Sequence, residues 1–423
     1  ALSKDLRMVF NSMMRDALFR LPELDQDQEG STDVAVDLLH AMAGLQREVD
    51  RDLATAQKQA EVCDYLVGRD LTPDHVHRIT GALREMRFCH PGLIDHVALS
   101  ATQQASELPL MTITNVLRCC ALLGVKSDAV NDVFDVCMKV AAEHMYSCKA
   151  IDLIWISWSC AVANQDPLVP RKPRSGNSDD GDGYSSGGSG RRMHRGSSRD
   201  EVTDIPASKL LVHALNARIG AISKHNIKLR GAVVYAVRIW AVLKRGMEMS
   251  QRLRDLRRST DDTTRRSDTQ KVYQKALKGF KEIKDLKSEY DVGHGWVVDA
   301  VGTIGGGQVA FETDGPYHFV TGPDGQPRPS GSMLIRDQCL RTIGLTVVSL
   351  PVSEMSTTEG KQRLSAQIRA RLEAAKKGVA LEPSSQQSPM PSTRPPAAAR
   401  SKSRGGSSSS AQQWVRCRWW WAA

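Results

Sequence analysis

Two carboxylates and a histidine close an apolar run: Val309-Ala310-Phe311 leads into Glu312 and Asp314, and a Gly315-Pro316 turn then exposes Tyr317 and His318. Polar groups where a buried strand stops are held rigidly by the packing behind them, which is what a binding or catalytic site requires. A third acid, Asp299, stands in the apolar stretch before the glycine-rich segment Gly302–Gly307. With that segment as the turn, Val301 pairs with Gln308 and Asp299 stands opposite Ala310, which makes Glu312 its diagonal neighbour on one face. Diagonal pairs lie about 7–8 Å apart, a separation at which two acids can share a divalent cation such as Mg²⁺ or line one wall of a groove. Asp299 and Glu312 are therefore the candidate metal ligands, and Asp299, Glu312 and Asp314 the candidate catalytic acids. A one-residue slip of the hairpin would send Glu312 to the other face. The plainer alternative is that Asp314 caps the turn and His318 bonds locally.

The cations point to a polyanionic partner. The formal net charge is +9, and between Lys244 and Lys287 there are 14 lysines and arginines against 7 acidic residues. Such an excess favours RNA, DNA or a membrane surface, although a charged helix is equally a solvated one. Lys271, Lys275 and Lys278 recur at helical spacing within this segment. Arg336 and Arg341 on a following helix, with Asp314 and His318, complete the residues placed to contact RNA.

The elements that must position these groups fall into a long helical region and a short mixed one. Residues 1–165 carry apolar residues at three- and four-residue spacing. Val116-Leu117-x-Cys119 and Leu153-Ile154-x-Ile156 match at an offset of 37, and Leu83 matches Leu117 at 34. Weak self-similarity at this period is the mark of stacked helical hairpins, with an irregular bundle as the alternative. Asp128 is the expected N-cap of one helix and Gly124 the stop of the helix before it. Residues 166–204 are rich in Gly, Ser, Arg and Asp and read as a disordered linker interrupting the array. Helical texture resumes over 205–268, and Val272, Ala276, Leu277, Phe280 and Ile283 define one more amphipathic helix. Residues 270–375 then form a compact α/β module. It comprises a strand over Trp296–Val301, a second over Gln308–Thr313, a helix through Met333, Arg336, Leu340 and Ile343, a strand over Leu345–Leu350 and a last helix from about Gly360 to Lys376. The tail over 378–423 reads as disordered.

Several chemistries are disfavoured. Nine cysteines form no Cys-x-x-Cys pair, and several of them (Cys119, Cys120, Cys137 and Cys160) fall in apolar helical patterns, as core thiols of a reducing compartment do. Gly305-Gly306-Gly307 lacks the Gly-Lys-Ser/Thr of a phosphate loop. His75, His77, Cys89 and His90 match no familiar zinc spacing and read as satisfied helix residues. No apolar run reaches membrane-spanning length.

The stretch from about Gln270 to Ala374, a quarter of the chain, resembles a RAP domain, the RNA-binding module named for its abundance in apicomplexans. The match rests on Val298-Asp299, on Phe311-Glu312-x-Asp314-Gly315-Pro316-x-His318-Phe319, and on Leu334-x-Arg336, Leu340, Gly344 and Val347-Val348-x-Leu350-Pro351 in that order. The resemblance implies a restriction-endonuclease-like α/β fold behind RNA-binding helical repeats. It also implies action on transcripts or ribosomal RNA in a mitochondrion, with a plastid or the cytoplasm as alternatives. In that comparison Asp299 and Glu312 match metal-binding acids of nucleases, but Asp314 stands where a catalytic lysine is expected. A lysine would orient water and stabilise charge on phosphate; a carboxylate does neither. Three functions follow as expectations: an organellar RNA-binding protein, a metal-dependent RNA endonuclease, or a structural component of an organellar ribosome.

Overall fold

The computed structural model describes residues 12, 30–45, 53–170, 204–222, 227–243, 251, 253, 268–351, 362, 366, 368–370 and 373. The chain is an N-terminal array of about ten helices followed by a small mixed α/β region. The array runs α1 (Ser31–Leu45), α2 (Leu53–Leu66), α3 (Pro73–Met86), α4 (Pro91–Gln103), α5 (Leu110–Leu123), α6 (Asp128–His144) and α7 (Ala150–Ala163). After a break come α8 (Ala207–Ala217), α9 (Ile219–Ile222) and α10 (Ile227–Val242).

Short polar breaks set the helix ends. Thr72 caps α3 in a capping box with His75, whose Nδ1 accepts from the Thr72 backbone N–H at 3.3 Å while its own N–H bonds the Thr72 hydroxyl at 3.2 Å. Asp128 is not the cap of α6: the Ser127 side chain accepts from the Val130 N–H at 3.2 Å, and Asp128 follows in the first turn. Gly124 does end α5, in the left-handed conformation at φ 69° that glycine adopts without strain.

The hairpins stack in two layers. One layer holds α1, α3, α5, α7 and α10, each packed on the next; the other holds α2, α4, α6 and α8. The residues that match at an offset of 37 take equivalent places: Val116, Leu117 and Cys119 are buried in α5, and Leu153, Ile154 and Ile156 in α7. Helix α7 is apolar all round because α5, α8, α10 and the α/β region cover it.

The segment over 166–204 starts and ends in order. β1 (Leu168–Pro170) pairs antiparallel with β2 (Asp204–Pro206), so the intervening chain leaves and re-enters the array at one point. Residues 171–203 and the tail over 378–423 lie outside the described residues, as does most of the basic stretch before Asp268.

The α/β region opens with α11 (Asp268–Lys278), which stops before Phe280 and Ile283; the helix expected to include them is shorter. They instead lead into β3 (Lys284–Asp291), an edge strand of alternately exposed and half-covered residues that apolar patterning does not reveal. β4 (Val297–Ile304) and β5 (Gly307–Asp314) form the expected hairpin, with a shorter turn. The loop is Gly305-Gly306 alone, both at positive φ (57° and 88°), as a two-residue hairpin turn demands. Gly302 lies within β4 instead of the turn, where an added Cβ would sit 2.5 Å from Ile283 Cγ2. A 3₁₀ turn (Pro316–His318), the small hairpin β6 (Phe319–Thr321) and β7 (Pro327–Pro329), and α12 (Gly331–Thr342) connect β5 to β8 (Thr346–Pro351). The sheet order is β3-β4-β5-β8, with β8 parallel to β5.

The sheet is covered on both faces. Ala300, Phe311 and Val348 pack with Tyr273 and Leu277 of α11 and with Ile368, one of the helical residues described near the C-terminus. Val301, Ala310 and Val347 face Ile335, Cys339 and Leu340 of α12 and are continuous with the array's core. Helix α12 in turn lies on α5, α7 and α10. The seam is close: a Cβ on Gly331 would fall 1.8 Å from the Ala121 carbonyl oxygen of α5. Tyr235 of α10 donates its hydroxyl to Ser332 O at 2.6 Å and meets Trp296 edge-on at 5.3 Å. The strand end of β6 joins the loop after α3 through Cys89 N to Thr321 O and Thr321 N to Arg87 O, each 2.8 Å.

Candidate functional site

β5 delivers Glu312 and Asp314 two residues apart, hence to one face of the sheet, the face covered by α12. The hairpin register puts Ala300 opposite Phe311 and Val301 opposite Ala310. This is two residues from the expected pairing. Face is preserved by an even slip, so the carboxylates remain together, but Asp299 now comes opposite Glu312 instead of diagonal to it.

What fills this acidic centre is a guanidinium. Arg336 projects from α12 and forks onto Asp314, with Nη1 to Oδ1 at 2.8 Å and Nη2 to Oδ2 at 3.3 Å. It also donates to Asp337 Oδ1 through Nε at 3.0 Å and Nη2 at 2.8 Å, and its Nη1 lies 3.5 Å from Glu312 Oε2. All four side chains are buried. His318 Nδ1 reaches Asp314 Oδ1 at 2.8 Å, and the Ser349 hydroxyl of β8 donates to Oδ2. Asp314 is thereby saturated by three partners from three elements.

The electrostatics follow from this geometry. Burial would raise the Asp314 carboxyl, but Arg336 and His318 outweigh it and hold the group far below the ordinary carboxylate range. Glu312 goes the other way: burial dominates and, with Asp299 and Asp314 nearby, pushes it well up despite Arg336. Burial disfavours a charged Arg336, yet Asp314, Glu312 and Asp337 together hold its proton more tightly than usual. Burial also raises Asp299, against hydrogen bonds from Thr313 and Gln270. Its two oxygens are taken: Oδ1 accepts from Gln270 Nε2 and Oδ2 from the Thr313 backbone N–H, both at 2.7 Å.

These residues do not fit a divalent cation. Both oxygens of Asp314 and both of Asp299 already have donors, and Glu312 faces a guanidinium. Among the described residues, no group of three or more His, Cys, Asp and Glu side chains is arranged to hold a metal ion.

The remaining expected positions separate into two groups. Arg336, expected to meet phosphate, is instead the internal counter-ion of buried acids. Its place in the apolar spacing Met333, Arg336, Leu340 was the signal of burial, and the adjacent Asp337 was the missed partner. His318 is tied to Asp314, its backbone carbonyl accepting from Ser330 N at 2.9 Å. Arg341 is exposed in the last turn of α12. Lys271, Lys275 and Lys278 are exposed along one face of α11, and Lys281, Lys284 and Lys287 continue exposed into edge strand β3. Acids intersperse the latter three, namely Glu282, Asp285 and Glu289, whereas α11 has no acid after Asp268. Lysines on an edge strand also keep other strands from pairing there.

The histidines weighed for zinc are structural. His75 Nε2 pairs with Asp33 at 2.7 Å, and His90 Nδ1 caps α4 while Nε2 meets Asp64 at 3.1 Å. The eight described cysteines are buried and form no disulfide among themselves, with Cys119 and Cys137 both pushed up to about 12 by burial. None is poised as a nucleophile. Among the described residues, no helix is long and apolar enough to cross a membrane.

Compared with protein-family models and with curated proteins, the chain matches none.

Proposed function

We propose that this is an RNA-binding protein in which the helical array and the α/β module together grip a phosphate backbone. The observation that carries the reading is the exposed lysine face of α11, Lys271, Lys275 and Lys278, set on a module rigidly seamed to the array. Lysine is a flexible point charge suited to sequence-tolerant phosphate contact, and each such contact releases counterions from the nucleic acid. The net charge of +9 and the repeat-like stacking of α1–α10 agree with it. So does the resemblance of residues 270–374 to a RAP domain, which carries the further expectations of a restriction-endonuclease-like module, an organellar transcript or ribosomal RNA as ligand, and a mitochondrial site of action.

Binding is favoured over cleavage. In the nuclease reading, Asp299 and Glu312 would hold Mg²⁺ beside Asp314; here Gln270, the Thr313 N–H and Arg336 occupy their oxygens. No catalytic step is derived through a metal at this site.

The test is fluorescence anisotropy of a labelled single-stranded RNA with the full chain and with the triple variant Lys271→Gln, Lys275→Gln, Lys278→Gln. Affinity falls about tenfold in the variant at low salt. Equal affinity would remove α11 from the interface. Incubation of the same RNA with Mg²⁺ leaves it intact for both wild type and Asp299→Ala; metal-dependent cleavage lost in Asp299→Ala would restore the nuclease reading.

A further inference from the structure

A second group of cations lies in the array, away from the lysine face of α11. Arg84 and Arg87 lie one turn apart at the end of α3, and Asn115 and Arg118 lie one turn apart on α5, the next helix of the same layer. Arg84 Nη1 donates to Asn115 Oδ1 at 2.6 Å, which fixes the two turns side by side. Asn115 continues to His77, its Nδ2 lying 3.2 Å from His77 Nδ1. Arg87 is buried, held by Tyr317 O of the module and lying 5.8 Å from the Tyr317 ring centroid. Arg118 lies over the ring of Trp155 of α7, its guanidinium carbon 3.4 Å from the ring centroid.

Arg118 is the anomaly. Half-buried and near two other guanidiniums, it makes no ion pair and no hydrogen bond among the described residues; the Trp155 ring is its contact. Burial first, and then the neighbouring Arg84 and Arg87, pull its proton affinity down. Arg84 is likewise lowered by burial, against Cys119 and the exposed Glu85. A guanidinium carries five donors in a planar fork, and the mutual repulsion of like charges placed side by side is relieved when an anion joins the cluster. Arg328 adds a fourth positive charge bearing on Cys89, although it is already paired with Asp324 at 3.2 Å.

The placement is also periodic. The offsets of 34 and 37 that relate Leu83, Leu117 and Ile154 carry Arg84 onto Arg118 and Arg118 onto Trp155. The same position of three successive helices in one layer thus presents two arginines and an aromatic ring, beside the seam where Gly331 meets Ala121. Stacked repeats use such equivalent positions to follow an extended ligand.

We propose that Arg84, Arg87 and Arg118 form a phosphate-binding site on the array, with the Trp155 ring backing the Arg118 fork and the module's Tyr317 bracing Arg87. Arginine forks match phosphate oxygens bidentately, and a planar guanidinium fixed against an aromatic ring loses little freedom on binding. The site deepens the RNA-binding reading and rests on it for the source of the phosphate, a nucleic-acid backbone.

Two measurements on the full chain test it. In thermal melts at constant ionic strength, inorganic pyrophosphate raises the Tm of wild type and does so less in Arg118→Gln. Arg118→Lys, which keeps the charge and not the fork, gives an intermediate shift; circular dichroism without the anion shows that all three fold. An equal shift in Arg118→Gln and wild type would overturn the site. In the second measurement, single-stranded RNA binds Arg118→Gln five- to tenfold more weakly, and the slope of log affinity against log salt falls by about 0.7, one phosphate contact's worth. Unchanged affinity and slope would remove the cluster from RNA contact and overturn the proposal. A pyrophosphate shift that depends on Arg118, in a protein that binds no RNA, would keep the phosphate site while refuting the RNA-binding reading.

Discussion

Two arginine-centred clusters flank the seam between array and module, and they are built in opposite ways. In the module, Arg336 is surrounded by Asp314, Asp337 and Glu312, with His318 and Ser349 completing the shell of Asp314. In the array, Arg118 lies near Arg84 and Arg87 and meets an aromatic face but no carboxylate among the described residues. A cation given its counter-ions from within the fold is a structural rivet. A cation left with ring contact alone is disposed toward an anion from outside. Residue type alone would rank the two alike; the surrounding charges separate them.

The largest effect expected from breaking this contrast is on the rivet. Arg336→Met leaves the acids of the α12 face without their cation, and removal of one partner from a buried ionic group costs about 3–5 kcal/mol. Urea denaturation of the full chain measures it; a loss below 1 kcal/mol would mean that the buried acids are already neutral without Arg336. Next comes the seam that holds both clusters in place. Gly331→Ala puts a methyl 1.8 Å from the Ala121 carbonyl oxygen, a backbone atom that cannot swing aside. Overpacking of this kind costs about 1–3 kcal/mol, read as a lowered denaturation midpoint.

Acid titration sharpens the contrast inside the module. Asp314 has a depressed folded value, so its contribution is complete above the unfolded carboxylate value of about 3.9 and is lost as pH falls below it. Glu312 has a raised folded value, so the fold holds its proton where the unfolded chain has released it. Its contribution is therefore full below about 4.3 and declines as pH rises toward the folded value. Glu312→Gln accordingly gains stability relative to wild type as pH increases from 4 to 7. Denaturation at several pH values checks the sign; a relative loss across that range would show that the ionised Glu312 is needed by Arg336. The smallest stability effect belongs to Lys271→Gln, Lys275→Gln and Lys278→Gln, each within about 0.5 kcal/mol as exposed helix positions are, while RNA affinity falls.

What the sequence disclosed, and what it hid, follows the same physics. The array was legible because apolar spacing in α5 and α7 repeats and buries matching residues. β5 and β8 were legible because strands covered on both faces are continuously apolar. β3 was not, since an edge strand of Lys284, Lys287 and Glu289 buries too little to leave a pattern. The Gly302–Gly307 segment misled because a glycine excluded by packing looks like a glycine required by a turn; only Gly305 and Gly306 make the bend. The acids were found at β5, yet their partner was assigned outward because ion pairs between β5 and α12 span 22 residues of chain. The Arg84–Arg118 cluster was hidden for the same reason: it exists only once α3 and α5 lie side by side.

If phosphate contacts drive association with RNA, affinity falls with salt in proportion to the contacts made. Affinity of the full chain for a single-stranded RNA, measured from low to high salt, tests it most directly. Three or more phosphate contacts at about 0.7 each give a straight line of log affinity against log salt with a slope of about −2 or steeper. A flat line, or no saturable binding at low salt, would contradict it.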